Sequence, residues 1–275
     1  MKIMLLGRHG MLGHTLSKVL TKAGHEVYGF GRKEFDTSFV ATFEKLRERL
    51  TTYKPEVLVN CIGLVKQRRD TDTEAMIHVN GQLPHWLYRQ AKQVGARFIH
   101  FSTDCVFSGT QHRALGLTED DKPDPIDLYG RTKHLGEVEG DGALTIRTSI
   151  IGHELLPNKR GLLEWFLSQT GEVDGYTKAA FSGLTTNELS KVVKMVIEDY
   201  PHLQGIWHIA GPRITKMQLL TFLRSVYDKD IGLRPKDTPV IDRTLNAHRF
   251  NCRTRYTPPP WGQMLVEMRN AQCTL

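Results

Sequence analysis

Lys2-Ile3-Met4-Leu5-Leu6-Gly7-Arg8-His9-Gly10-Met11-Leu12-Gly13 is the stretch that decides the fold. An apolar run closing on glycine reads as a buried strand. Leu12, Leu16, Val19 and Leu20 then recur at helical spacing through Met11–Ala23. Between strand and helix lies Gly7-x-x-Gly10-x-x-Gly13. The first glycine allows a tight turn, the second lets backbone approach a pyrophosphate, and the third lets the helix pack close to the sheet. The helix N-terminus adds N–H groups and a positive dipole end. The spacing is not the common Gly-x-Gly-x-x-Gly, and three glycines in a short window also occur in plain turns. The strand–glycine–helix context selects the dinucleotide reading, with Gly7, Arg8, Gly10, Met11, Leu12 and Gly13 as contact candidates.

Outward from this stretch the pattern alternates. Strands are expected at His25–Phe30, Glu56–Cys61, Arg97–Ser102 and Leu144–Thr148, and helices at Val40–Leu50, Glu74–Val94 and Tyr129–Glu139. Such alternation implies an α/β fold, a Rossmann-type doubly wound parallel sheet. Residues 108–127 interrupt it with Gly, Pro and Asp, a loop long enough to be functional or disordered. Beyond about residue 152 the rhythm is less regular. Helices are expected at Gly161–Gln169, Asn187–Asp199, Lys216–Tyr227 and after Pro258-Pro259-Pro260, and a strand at Gly205–Ala210. The expected organisation is an NAD(P)-binding Rossmann domain over 1–150 and a smaller substrate-binding lobe over 151–275 that can interleave with it.

The end of the second strand should meet the adenosine ribose, where an acidic residue suits a 2′-hydroxyl and arginine a 2′-phosphate. Here stand Gly31-Arg32-Lys33, with Asp36 just beyond and Arg8 in the glycine turn. These cations favour NADP (NADPH), with NAD as the lesser option. Arg32 and Lys33 can also be read as solvated loop charges.

Reduction of a ketone needs a proton as well as a hydride. Tyrosine has a free pKa of about 10, and a neighbouring cation lowers it. Lysine four residues on shares its helical face, so Tyr129 and Lys133 can serve one site, with the Thr103 hydroxyl holding the carbonyl. Tyr88 and Lys92 have the same spacing. They close the helix before the fourth strand, at the wrong sheet edge, since ligands bind at strand C-termini. Tyr88/Lys92 is therefore read as a surface pair and Thr103, Tyr129 and Lys133 as the catalytic set.

The formal net charge of +7 suits an anionic ligand. No basic helix, zinc-finger spacing or aromatic–basic motif accompanies it, so nucleic acid is not expected. No apolar run approaches the roughly 20 residues of a membrane helix, and Met1–Leu6 is too short for a signal peptide. The cysteines at 61, 105, 252 and 273 lack Cys-x-x-Cys spacing. They fit a reducing, cytoplasmic setting. The histidines show no ligand spacing, and no metal is expected.

With these residues in place the chain resembles the extended short-chain dehydrogenase/reductases, most of all the dTDP-4-dehydrorhamnose reductase branch. The resemblance rests on Gly7–Gly13, Asn60-Cys61-Ile62-Gly63, His78-Val79-Asn80, the run from His100 to Gly109, Thr118-Glu119-Asp120-Asp121, Tyr129-Gly130-Arg131-Thr132-Lys133 and Arg147-Thr148-Ser149. Beyond residue 150 it thins to Phe181–Thr186. It implies NADPH-dependent reduction of the 4-keto group of a nucleotide-linked deoxysugar in polysaccharide biosynthesis, with Thr103, Tyr129 and Lys133 catalytic. It also implies cofactor contacts from Cys61, Ile62, Gly63, Asn80, Ser102, Ser149 and Ile150, and allows a homodimer.

Two departures bear on the substrate. The family usually has tyrosine at Cys105 and often an aromatic residue at Ile150. Asp104 is followed by Cys105 rather than by the Glu of the sugar dehydratases, which argues against elimination. In the related GDP-fucose synthases a cysteine near this place serves epimerisation, so an epimerase-reductase using Cys105 stays open, as does a packed thiol. His153 is close to, but not at, the place of that cysteine's histidine partner. Substrate candidates are Asp104, Cys105, Arg243 and the run Lys66-Gln67-Arg68-Arg69, whose cations can hold a diphosphate or simply be solvated. Arg249 is a lesser one. A non-catalytic NADP-binding regulatory subunit is the alternative of another class. The intact Thr103/Tyr129/Lys133 set argues against it.

Overall fold

A computed structural model describes residues 1–38, 40–65, 72–111, 113–157, 159 and 161–272. The first half runs β1 (Lys2–Leu6), α1 (Met11–Lys22), β2 (Glu26–Phe30), α2 (Val40–Tyr53), β3 (Val57–Asn60), α3 (Thr73–Met76), α4 (Leu83–Gln93), β4 (Arg97–Phe101), α5 (Leu128–Leu135) and β5 (Ala143–Arg147). Next come β6 (Ile150–Ile151), α6 (Leu162–Ser168), β7 (Glu172–Tyr176), β8 (Ala179–Phe181), β9 (Leu184–Thr185), α7 (Thr186–Glu198) and β10 (Gly205–His208). The chain closes with β11 (Ile214–Thr215), α8 (Lys216–Val226), β12 (Gly232–Lys236), β13 (Ile241–Asp242), α9 (His248–Thr254) and α10 (Trp261–Gln272).

Six strands form one parallel sheet in the order β10-β5-β4-β3-β1-β2. This is the doubly wound α/β sheet expected from the alternation. Successive residues of a strand face opposite sides, and β1 shows the result. Ile3 and Leu5 join one apolar cluster with Leu12, Leu16 and Leu20 of α1 and Val192, Val193 and Val196 of α7. Met4 and Leu6 join the other, with Leu46 and Leu50 of α2 and Leu83 and Leu87 of α4. The edge strand β10 comes from beyond residue 150 and pairs with β5, His208 beside Arg147. Smaller pairings, β11-β8-β13, β12-β7 and β6-β9, carry the rest of the C-terminal region.

Two helices depart from expectation. The stretch 73–93 is continuous but passes through a π-helical turn, Ile77–Gln82, that sets Asn80 inward. Helix α5 stops at Leu135 rather than running to Glu139, with Gly136 at its C-terminal cap. The loop of residues 108–127 is pinned by Asp124, which accepts hydrogen bonds from Ser108 N (2.8 Å), Ser108 Oγ (2.7 Å) and Gln111 Nε2 (2.9 Å). Its middle is tied to the C-terminal region where Leu117 N donates to Thr244 O at 2.8 Å.

Candidate active site

The turns after β1, β2, β3, β4 and β5 all emerge at one edge of the sheet, the strand C-terminal edge where ligands of open α/β folds bind. After β1, Gly7 adopts φ +80°, a left-handed conformation suited to glycine. Its N–H and that of Arg8 both donate to Phe30 O, at 2.9 and 3.0 Å, tying the turn to β2. A side chain at Gly13 would place Cβ 2.1 Å from Gly7 O, so only glycine lets α1 start this close to the turn. Gly10, the N-cap of α1, brings no side-chain acceptor to the helix N-terminus. The first N–H groups of α1 thus have no side-chain cap, the arrangement that suits an anion. Leu12 is packed in the core, so only its backbone can take part.

After β2, Arg32 pairs with Asp36 at 3.2 Å and remains exposed. Asp36 also accepts from Ser38 N at 3.0 Å, and this bond leads the influences holding its carboxyl below the usual range. Arg8 lies along the end of β2, its Nη1 donating to Gly29 O at 3.3 Å. After β3, Cys61 backbone passes within 2.9 Å of where a Gly7 Cβ would stand, so this loop and the glycine turn share a wall. Asn80 does not face that wall. It is buried behind the loop, its amide bonded to Leu64 N and O and to Thr132 Oγ1.

Thr103, Tyr129 and Lys133 are brought together from two elements. Thr103 follows β4 and caps the short 3₁₀ turn Asp104–Val106, its Oγ1 accepting from Cys105 N at 3.2 Å and donating to Asp104 Oδ1 at 3.1 Å. Asp127 starts α5 by accepting from Gly130 N at 2.7 Å, which puts Tyr129 in the first turn. The Tyr129 and Thr103 hydroxyls are hydrogen-bonded. One turn on, buried Lys133 donates from Nζ to Phe101 O at 2.5 Å. Burial lowers its pKa to about 8, against the opposing pull of Glu137 and Cys61.

The lowering expected for Tyr129 is reversed. Burial of its hydroxyl pushes the pKa up, Cys105 adds to the rise, and the Thr103 hydrogen bond offsets only part. Near neutral pH the two therefore stand as phenol and ammonium, a proton donor and a buried cation one helical turn apart.

Beneath the pair lies a charge network that composition and spacing did not reveal. Glu137, four residues after Lys133, accepts from Arg147 Nε and Nη2 at 2.7 and 2.9 Å and from Ser102 Oγ at 2.7 Å. Both charged side chains are 3% exposed. Burial opposes the Glu137 charge, but Arg147 and its other partners win and hold the pKa at about 2. Arg147 also reaches His208 Nε2 at 3.4 Å across the β5–β10 pairing.

Of the substrate candidates, Asp104 and Cys105 sit in the turn beside Tyr129. Arg243, distant in sequence, joins them by donating to Phe107 O at 2.9 Å and Cys105 Sγ at 3.4 Å. Ser149 and Ile150 follow β5, where Ser149 O accepts from Leu184 N and Ile150 pairs with Leu184. Lys66, Gln67, Arg68 and Arg69 lie outside the described residues. Arg249 stacks on Trp207, 3.9 Å from the ring centroid, and donates to Ile206 O, beside β10. His153 bonds Glu164 and Tyr227. Tyr88 donates to Asp141 O and Lys92 is exposed, which keeps both on the outer end of α4. Among the described residues no group of three or more His, Cys, Asp or Glu could hold a metal ion, and no helix is long and apolar enough to cross a membrane.

A glycine turn on a doubly wound sheet, facing a Thr/Tyr/Lys set on the next turns, defines an extended short-chain dehydrogenase/reductase. The chain belongs, more narrowly, to the RmlD substrate binding domain family, whose profile matches residues 1–230. It is 27% identical to the spore coat polysaccharide biosynthesis protein SpsK of Bacillus subtilis, over 97% of this chain and 96% of that protein. It is 34% identical to a dTDP-4-dehydrorhamnose reductase of Burkholderia thailandensis, over 54% of this chain and 50% of that one. In structure it is similar to the dTDP-4-dehydrorhamnose reductase of Bacillus anthracis, solved in complex with NADP, with TM-score 0.84, 18% identity, and coverage of 98% and 100%.

Proposed function

We propose that this chain reduces the 4-keto group of a nucleotide-linked deoxysugar at the expense of NADPH. One observation carries the reading: Thr103, Tyr129 and Lys133 converge beside an uncapped α1 N-terminus at the ligand edge of the sheet. NADPH, when bound, supplies the hydride. The α1 N–H groups would hold its pyrophosphate and Arg8 and Arg32 its 2′-phosphate. The walls at Cys61–Gly63 and Ser149–Ile150 would bound the nicotinamide half. Thr103 orients the substrate carbonyl, and Tyr129, phenolic at neutral pH, gives its proton to the carbonyl oxygen. Lys133 places a positive charge where the phenolate forms. Asp104, Cys105 and Arg243 are nearest to the sugar, and residues 151–275 supply the substrate lobe.

The test is NADPH oxidation against dTDP-, UDP- and GDP-linked 4-keto sugars, with Tyr129→Phe as control. Turnover lost in the variant supports the reading. No turnover with any sugar, alongside intact NADPH binding, overturns it and favours a regulatory subunit. A second reading has the Arg243–Cys105 contact behind it: Arg243 Nη1 lies 3.4 Å from Cys105 Sγ, the group that would exchange a proton with a sugar carbon beside the ketone. Solvent deuterium entering at those carbons, and lost in Cys105→Ser, would establish the epimerase-reductase.

A further inference from the structure

Lys133 has a neighbour that none of the motifs draws attention to. His100 in β4 is fully buried, directly beside Asn60 of β3 in the sheet register. The orientation of the Asn60 amide is fixed by Ile62 N, which donates to Asn60 Oδ1 at 3.0 Å. The other end, Nδ2, then faces His100 Nδ1 at 3.1 Å. An amide nitrogen only donates, so His100 Nδ1 must accept. A neutral imidazole that accepts at Nδ1 carries its proton on Nε2. That Nε2 lies 3.4 Å from Lys133 Nζ. An ammonium has three N–H bonds and no lone pair, so it cannot accept from Nε2–H. A neutral amine can.

We propose that His100 is a positioning residue acting through Lys133: its Nε2–H, aimed by Asn60, favours the amine over the ammonium and sets the pH at which Lys133 loses its charge. This rests on the role given to Lys133 above. The other groups facing the pair are few. Phe101 O accepts from Nζ, Glu137 and Cys61 favour the ammonium, and burial opposes it. Burial leads in keeping His100 neutral, Lys133 and His85 add to it, and a hydrogen bond to the Asn60 backbone opposes it; the ring stacks on Phe98 with centroids 6.2 Å apart. A charged His100 beside a charged Lys133 is disfavoured twice over, by burial and by repulsion. The chain of contacts ends at Asn60, whose amide passes no proton, so His100 tunes Lys133 and is not a proton route. A mobile charge on Lys133 would let the site drop its cation as pH rises through about 8.

The test reads Lys133 itself, in the protein without cofactor or substrate. Lysine labelled with carbon-13 at Cε is titrated by NMR, the Lys133 signal being assigned by its loss in Lys133→Met. Two-bond proton–nitrogen spectra report the His100 tautomer. The expected results are a Lys133 midpoint near pH 8 and a proton on Nε2. In His100→Phe, which keeps a ring on Phe98, the midpoint rises by about one pH unit. Should that variant not fold, Asn60→Leu frees Nδ1 for the other tautomer and should shift the midpoint the same way. A proton on Nδ1, or a midpoint unmoved in the folded variant, overturns the proposal. Neither spectrum needs turnover, so this inference and the reductase reading fail separately.

Discussion

Asn80 spends both ends of its amide on Leu64, accepting from its N–H and donating to its C=O, each at 2.9 Å. The π-helical turn that carries Asn80 is thereby fastened to the loop leaving β3, the loop that walls the glycine turn. In Asn80→Ala those two backbone groups lose their partners, at about 1–3 kcal/mol for the buried part. NADPH affinity should fall about tenfold, with a matching drop in urea midpoint. Fluorescence titration showing an unchanged Kd would detach Asn80 from cofactor binding.

Tyr129→Phe keeps the ring and removes the proposed proton donor. A positioned acid contributes about 10²–10⁴-fold, so kcat should fall by that much while the NADPH Kd stays within about twofold. Steady-state kinetics with a reducible sugar nucleotide, beside a binding titration, separates the two. Equal losses in binding and turnover would mean that Tyr129 supports the cofactor rather than the proton transfer.

Lys133 should cost stability at neutral pH. Its pKa is about 8 in the fold against an ordinary 10.5. With a depressed folded value, the penalty is fully present below pH 8 and fades as pH climbs from 8 to 10.5. The difference is about 3 kcal/mol, offset by about 1 kcal/mol for the Phe101 hydrogen bond. Lys133→Met should therefore unfold at a higher temperature than wild type at pH 7 and lose most of that advantage by about pH 10. Thermal melts across this range give the answer, and a variant less stable at pH 7 would contradict it.

Glu137 works in the opposite direction. Its carboxyl is held at about 2 rather than 4.5, so it stabilises the fold above pH 4.5, and that contribution disappears as pH falls through 2. Glu137→Gln leaves Arg147 buried without its counter-charge, a loss of about 3–5 kcal/mol. Denaturant unfolding at pH 7 should show it. The difference from wild type should shrink in acid, and a constant gap down to pH 3 would exclude linkage to this carboxyl.

Cofactor choice should follow the cations after β1 and β2. Arg8→Ala and Arg32→Ala should each weaken NADPH about tenfold and leave NADH nearly untouched, because a 2′-hydroxyl gives an arginine little to bind. Parallel titrations with both cofactors decide. Equal weakening of the two would assign these arginines to the fold.

The sheet and the placing of Tyr129 and Lys133 on one helical turn at its ligand edge were legible because they depend on local periodicity. The apolar run Lys2–Leu6, the glycines and the helical spacing after Met11 each carry their meaning within a dozen residues, and strand ends then locate Tyr129 against Tyr88. What escaped depends on long-range contact. Nothing near His100 in sequence shows Asn60 beside it, and Glu137, in the loop after α5, gives no sign of folding back on Arg147 of β5. The shortened α5 was readable at Gly136, whereas the π-helical turn has no such marker. The sign of the Tyr129 shift is not legible in a spacing of four, because burial of the hydroxyl raises its pKa and only the Thr103 hydrogen bond works the other way.

The last strand to join the parallel sheet, β10, is drawn from residues 205–208, and α7, which covers α1, precedes it at 186–198. During synthesis the six-stranded sheet cannot be complete when residue 150 leaves the ribosome. Until about sixty more residues have been made, β5 keeps an unpaired edge and α1 an uncovered apolar face, the features through which nascent chains stick to one another. The later residues thus complete a sheet that the earlier ones begin, and a fragment cut after β5 would carry five paired strands with one open edge and an uncovered face on α1.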